Sequence, residues 1–249
     1  MNNAEKNIDM LWDSRWSKYE LKNVVDVDKI DDPWTAIHLD ILKKELSALP
    51  PNGKFLEAGC GLGQWCFYVS KIGHRAVGVD IAKDIIKNLN EFISGKNEYQ
   101  NIKFIVDDLT HSKLESNQFD FIVSLGVIEH FPDSAPMLNE LYRLLKPNGK
   151  IFISVPNIFA LHTITRPLTK LFGWWKIGYE KSYTSRRLIA EIKKSNFKLE
   201  RIGILPSGQF FGRILTTIPL FGSIFKKIGY LVEKRQNVFG LYIYVICKK

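Results

Sequence analysis

The segment Phe55-Leu56-Glu57-Ala58-Gly59-Cys60-Gly61-Leu62-Gly63 constrains this chain more than any other, because an apolar run ends in a carboxylate and passes straight into three glycines at alternate positions. Glycines at 59, 61 and 63 leave no Cβ where a strand hands over to a helix, so backbone amides can approach a ligand closely and φ > 0 is open. The pattern reads as a nucleoside-binding turn of an α/β sheet. A dinucleotide fingerprint, G-x-G-x-x-G, would need glycine at 64, where the chain has Gln64 followed by bulky Trp65.

Strand and helix patterns alternate from Gly53 onward, which predicts mostly parallel strands with helices on both faces. Residues 75–79 form a short apolar strand ending in Asp80, nineteen positions beyond Gly61, where a carboxylate can accept hydrogen bonds from ribose hydroxyls. A third strand at 102–106 ends in Asp107-Asp108-Leu109, and a fourth at 119–125 leads into Gly126-Val127-Ile128-Glu129-His130-Phe131. Leu138, Leu141, Leu144 and Leu145 mark a helix that stops at Pro147-Asn148-Gly149 before a fifth strand at 150–155. An amphipathic helix is expected at 185–195 with Thr184 or Ser185 as N-cap, and a sixth strand at 197–204. Right-handed crossovers put strand C-termini on one edge, so Glu57, Asp80, Asp108 and Leu125 converge where open α/β sheets bind ligands.

These residues, in this order, resemble motif I and the following strands of the class I S-adenosylmethionine-dependent methyltransferases, closest in pattern to the small-molecule and ubiquinone-type branch. The similarity covers residues 50–156, and more loosely 183–197. It implies a Rossmann-like seven-stranded sheet, mostly parallel with an antiparallel last strand at 240–247, and S-adenosyl-L-methionine as cofactor. On that reading Glu57 and the amides of Gly59, Gly61 and Gly63 hold the methionine end and Asp80 the ribose. Ile81 and Leu109 flank the adenine, Asp108 (or its neighbour Asp107) meets the exocyclic amine, and Leu125 closes the pocket at the end of strand four. The ubiquinone-type branch carries a Glu-x-x-Glu-His loop suited to a divalent metal; Gly126 stands at its first Glu position, and no metal is expected. Tyr142 and Lys146 form a Y-x-x-x-K pair that would be catalytic in short-chain dehydrogenases, but on this apolar helix it reads as coincidence.

Chemistry at the acceptor side points to His130, since imidazole suits proton transfer near neutral pH. The same residue could instead orient the loop by bonding backbone. Glu129 and Tyr183 complete the catalytic candidates, with Glu180 second in rank. His38, His74, His111 and His162 share no ligand spacing and read as surface or packing residues.

At 249 residues with 45% hydrophobic content, one large domain with a full core is expected: a helical cap at 1–50, a cofactor-binding core at 51–156, and substrate-side insertions with the final strands at 157–249. Cys60, Cys66 and Cys247 have neither metal spacing nor an even disulfide pattern, and residues 1–6 are polar, so a cytoplasmic location is expected. Net charge is divided. Residues 1–149 hold 17 Lys and Arg against 22 Asp and Glu (−5), whereas residues 150–249 hold 18 against 4 (+14). Such a split suits an anionic partner.

Three flanking stretches remain. Trp12, Trp16, Tyr19 and Trp34 precede a helical run at 36–49; the tryptophans either close the site or pack against the sheet edge. Residues 158–176 and 209–235 mix aromatic and aliphatic side chains with Lys and Arg, too interrupted to span a bilayer. They suit the membrane headgroup boundary or a helical lid equally by composition.

The function expected is methyl transfer to an oxygen, with nitrogen less favoured, of a small-molecule or lipid- or glycan-linked anionic acceptor. A nucleic-acid methyltransferase would show an Asn-Pro-Pro-aromatic motif after strand four to hold a flipped base, and this chain has Gly126-Val127-Ile128-Glu129. A scaffold protein that binds the cofactor without turnover is the other alternative.

Overall fold

In the computed structural model, residues 3–29, 33–160, 163, 166–167, 170–172, 178–205 and 240–249 are described. The expected segment at 209–235, His162, and most of 161–177 lie outside them. Six helices are named here: α1 (Asn3–Trp16), α2 (Pro33–Leu46), α3 (Gln64–Lys71), α4 (Lys83–Ile93), α5 (Ala135–Leu144) and α6 (Ser185–Lys194). The strands are β1 (Lys54–Ala58), β2 (Arg75–Asp80), β3 (Ile102–Val106), β4 (Phe119–Leu125), β5 (Leu145–Pro156), β6 (Lys198–Leu205) and β7 (Tyr242–Lys248).

They form one seven-stranded sheet in the order β3-β2-β1-β4-β5-β7-β6. Strands β1 to β5 pair in parallel, and β7 runs antiparallel between β5 and β6. The expected antiparallel last strand is therefore present, wedged inside the sheet and not at its edge. Because the chain leaves β1 for β2 on one side and returns to β4 on the other, the topology switches between β1 and β4, and the carboxyl ends of these strands flank the resulting crevice.

Alternation along the central strands sorts the core onto two faces. Phe55, Phe121, Val123 and Phe152 pack with Leu42, Leu46, Trp65, Phe67 and Leu89 on the face of α2, α3 and α4. Leu56, Ile122, Ile151 and Ile153 pack with Met137, Leu141, Leu188 and Ile192 on the face of α5 and α6. Phe55 and Leu56 are both fully buried, each contributing roughly 2–3 kcal/mol by removal from water. Among the described residues no helix is long and apolar enough to cross a membrane.

One boundary departs from expectation. The helix carrying Tyr142 ends at Leu144, and Leu145 already pairs with Phe119 in the sheet; the Pro147-Asn148-Gly149 turn is looped out before Lys150 pairs with Phe121. Asn148 takes φ +63°, which the turn requires and Asn tolerates. Tyr142 packs edge-on to Phe197 while Lys146 pairs with Asp120 at 2.8 Å, so the two side chains serve separate structural contacts.

Candidate active site

Glu57 lies one residue before the end of β1, 6% exposed, and its carboxylate accepts a hydrogen bond from the Cys66 amide at 3.0 Å. It thereby satisfies an orphan donor in the first turn of α3, whose N-cap, Gly63, has no side chain to do so. Burial pushes this carboxyl up to about 7, opposed by its hydrogen bonds to Cys66 and the Trp65 backbone and reinforced by Asp80. Asp80, at the end of β2, accepts from Gly61 N at 2.8 Å and from Ala82 N at 3.0 Å. Its carboxyl is also raised, mainly by burial, with a further rise from Asp13. Helix-end or turn bonding, the plainer reading of both carboxylates, is thus part of what each does.

Two glycines of the turn could not be other residues. Gly59 has φ +73°, and a Cβ there would stand 2.5 Å from Val127 Cγ2. Gly61 has φ +47°, and a Cβ would stand 2.7 Å from Trp16 Cζ2. The first contact joins the β1 and β4 ends across the crevice. The second shows what sequence alone left open: Trp16 of α1 lies directly on the glycine turn.

Helix α1 is pinned there at several points. Asp13 Oδ1 accepts from the amides of Asp84 and Ile85 at 3.0 and 3.2 Å, capping α4 where its own N-cap residue Ala82 offers no side-chain bond. Trp12 stacks on Trp16 and meets the His130 ring edge-on at 4.9 Å. Arg15 sits over both indoles, 5.9 and 5.6 Å from the ring centroids. No local pattern announces Asp13, since its partners are about seventy residues away in the chain.

On the far side of the crevice, β4 ends at Leu125 and a short 3-10 turn, Ile128–His130, follows. His130 Nδ1 donates to the Tyr179 carbonyl at 2.8 Å, leaving Nε2 as the basic nitrogen of the neutral ring. Burial lowers its pKa from 6.5; the Tyr179 bond opposes this, and Arg15 and Arg166 add to it. Glu129 is 2% exposed, and one of its carboxylate oxygens, Oε2, has no hydrogen-bond partner among the described residues. Its carboxyl is held well above the ordinary range by burial and by Glu180. Arg166 donates to the Glu180 carbonyl at 2.8 Å and pairs with the Glu180 carboxylate, while Lys181 N donates to Glu129 O at 2.9 Å.

The remaining sequence-predicted residues are placed as follows. Leu109 is buried in the core, and Ile81 and Leu125 are partly exposed at the strand ends. Asp108 is exposed and accepts from the Thr110 amide and hydroxyl, both at 2.8 Å, while Asp107 accepts from Ser112 Oγ and Lys113 N. Tyr183 is fully buried and donates to Glu191 of α6 at 2.9 Å. That bond ties the hydroxyl to a helix behind the crevice and gives it a packing role. His38, likewise buried, bonds Ser154 Oγ at 2.9 Å.

Residues 56–153 match the protein family described as a methyltransferase domain. The core of the chain is such a domain, and the chain is a member of the class I S-adenosylmethionine-dependent methyltransferases. Among curated relatives, phosphoethanolamine N-methyltransferase of Plasmodium falciparum is 35% identical over 121 residues, covering 47% of this chain and 44% of that one. Ubiquinone biosynthesis O-methyltransferase of Xanthomonas axonopodis is 25% identical over 185 residues, 71% of this chain and 76% of that one. The chain spans less than half the length of the first of these. A solved geranyl diphosphate C-methyltransferase from Streptomyces coelicolor, in complex with S-adenosyl-L-homocysteine, superposes with TM-score 0.69 over 100% of this chain and 98% of that one at 12% identity, a likeness of fold.

The crevice fits the family's cofactor on its own chemistry. Two buried carboxylates, Glu57 and Asp80, stand beside a glycine turn and raise one another, and none of the principal groups acting on them is a cation. A ligand carrying an ammonium or sulfonium would supply the missing charge.

Proposed function

We propose that this chain transfers the methyl group of S-adenosylmethionine to an oxygen of a small-molecule or lipid- or glycan-linked anionic acceptor, with nitrogen as the second choice of atom. The observation that carries the proposal is the uncompensated pair Glu57 and Asp80 at the switch point of the sheet, around a turn whose glycines cannot be replaced. The bound cofactor brings its own electrophile, a methyl on sulfonium, so the protein's work is to bind, orient and accept a proton. Glu57 and the turn amides hold the methionine end and Asp80 the ribose. Ile81, Leu109 and Leu125 line the adenine side, with Asp108 or Asp107 beside the ring.

His130 acts as general base. Its Nε2 takes the proton that the acceptor hydroxyl loses, while the Tyr179 carbonyl holds the ring in the tautomer that leaves Nε2 free. Glu129 lines the same side, its neutral carboxyl able to donate to the acceptor through Oε2. Arg15 and Arg166 both act on His130 and on Glu180, and Lys170 acts on Glu180, so the acceptor side carries positive potential suited to an anionic group. Oxygen and nitrogen are each represented among the relatives' printed activities, ubiquinone biosynthesis O-methyltransferase and phosphoethanolamine N-methyltransferase.

Titration calorimetry with S-adenosylmethionine and S-adenosylhomocysteine tests the reading. Both should bind at one site, and heat from neither would overturn it. Binding without turnover on any anionic hydroxyl or amine acceptor would leave a cofactor-binding scaffold.

A further inference from the structure

Nine large apolar side chains are exposed among the described residues, and five of them fall in one stretch: Ile158, Phe159, Leu171, Phe172 and Tyr179. Leu171 and Phe172 stand out at 78% and 60% exposure, where a soluble surface offers no return for a leucine beside a phenylalanine. Backbone bonds draw this stretch around the crevice. Ile158 N donates to Tyr183 O, and Phe159 N to Asn157 Oδ1. Arg166 holds Glu180, and Tyr179 O holds the His130 ring. Helix α1 joins the same surface, since Leu11 Cδ2 packs close on Gly178 and the neighbouring Met10 is 62% exposed.

Charge says what covers these side chains. Arg15, Lys170, Arg186 and Arg187 are exposed on α1, on the stretch itself and on α6. The chain from residue 150 onward carries 18 Lys and Arg against 4 Asp and Glu. Apolar side chains ringed by cations match the boundary between headgroups and acyl chains of an anionic bilayer, where each basic residue near the surface is attracted and the apolar ones enter. A second copy of this chain would bring the same positive charge against itself.

We infer that Met10, Ile158, Phe159, Leu171, Phe172 and Tyr179 form a docking surface for an anionic lipid bilayer, which places the acceptor entrance, one hydrogen bond from Tyr179 to His130, at the membrane interface. The placement of the acceptor rests on the methyl-transfer reading above; the docking does not. Peripheral contact of this kind needs no spanning helix.

The test is co-sedimentation of the full chain with vesicles of phosphatidylcholine containing phosphatidylserine, against phosphatidylcholine alone, at low and high salt. Binding should require the anionic lipid and fall by about tenfold or more as salt is raised from roughly 0.05 to 0.5 M. The double variant Leu171→Glu, Phe172→Glu should lose most of the binding with its thermal midpoint and its calorimetric affinity for S-adenosylmethionine unchanged; Phe159→Asp, made separately, should weaken it less. Absence of binding to anionic vesicles would overturn the inference, as would binding that all these variants retain. So would a dimer in light scattering that the double variant abolishes without any vesicle binding by the parent. Since cofactor titration is run alongside, loss of docking is read separately from loss of the methyl-donor site.

Discussion

The two banks of the crevice are built differently. On the cofactor bank, between β1 and β3, every site carboxylate is held by amides close to it in the fold: Glu57 by Cys66, Asp80 by Gly61 and Ala82, Asp108 by Thr110. On the acceptor bank, after β4, side chains are held by segments far away in the chain: His130 by Tyr179, Glu180 by Arg166, and Glu129 with one oxygen free. Short-range bonding makes a rigid cradle whose shape is set by glycines and helix starts. Long-range bonding makes a bank that changes with the segments inserted after β5, which is how one fold can keep its methyl donor and vary its acceptor.

The largest effect should come from the cradle. Gly59→Ala puts a Cβ 2.5 Å from Val127 at a φ of +73°, so strain and overpacking together should cost about 2–5 kcal/mol in denaturant titration and weaken cofactor binding in parallel. If Gly59→Ala keeps its midpoint and its affinity, the cradle is softer than the bonding implies.

Next is the pH response of the empty cradle. Glu57 is raised from 4.5 to about 7, so the folded chain holds a proton that the unfolded chain gives up in that interval. Stability from this group is fully present below pH 4.5 and is lost as pH rises through about 7, a change of about 3 kcal/mol. Asp80 and Glu129 are raised too and act in the same sense. Urea midpoints at pH 5 and pH 8 measure it, and saturating S-adenosylmethionine should flatten the difference, with proton release on binding near pH 6. A midpoint that climbs from pH 5 to pH 8 would show Glu57 to be solvated and the cradle already compensated.

His130→Ala tests the other bank. Turnover should fall by about 10²-fold or more, with calorimetric affinity for the cofactor preserved. In the parent, the acid limb of kcat/KM should lie below the ordinary imidazole value of 6.5, because burial and the nearby arginines favour the neutral ring. Unchanged turnover would leave His130 as the residue that fastens Tyr179, and the two banks would then differ in bonding but not in chemistry.

The same contrast explains what could be read from the sequence. Strands β3 and β4 fall where the apolar runs at 102–106 and 119–125 put them, and the carboxylates at the ends of β1 and β2 flank the glycine turn, because period, strand-end residues and turn glycines are local signals. Helix α2 begins at Pro33, three residues earlier than its apolar period indicates, and stops at Leu46, as proline suits a first turn. What depended on distant chain was hidden. Asp13 carries no mark of a cap for a helix seventy residues on, Trp16 no mark of the glycine it covers, and Arg166 none of its pairing with Glu180. Tyr183 was legible as a polar aromatic beside the site, yet its burial came from the bridge between Asn157 and Tyr183, a non-local contact.

Tyr183 also supplies the smallest and sharpest test of the division. Its hydroxyl donates to Glu191, which also receives Ser134, Arg187 and Lys181. Tyr183→Phe removes one bond from a carboxylate that keeps three other partners, so no charge is stranded and the cost should be only about 0.5–1.5 kcal/mol. Turnover and acceptor KM should not change, because the lost donor faces α6 and the ring still fills its fully buried site. A fall in turnover larger than the fall in stability would mean that Tyr183 reaches the acceptor after all, and the acceptor bank would extend behind the 3-10 turn to α6.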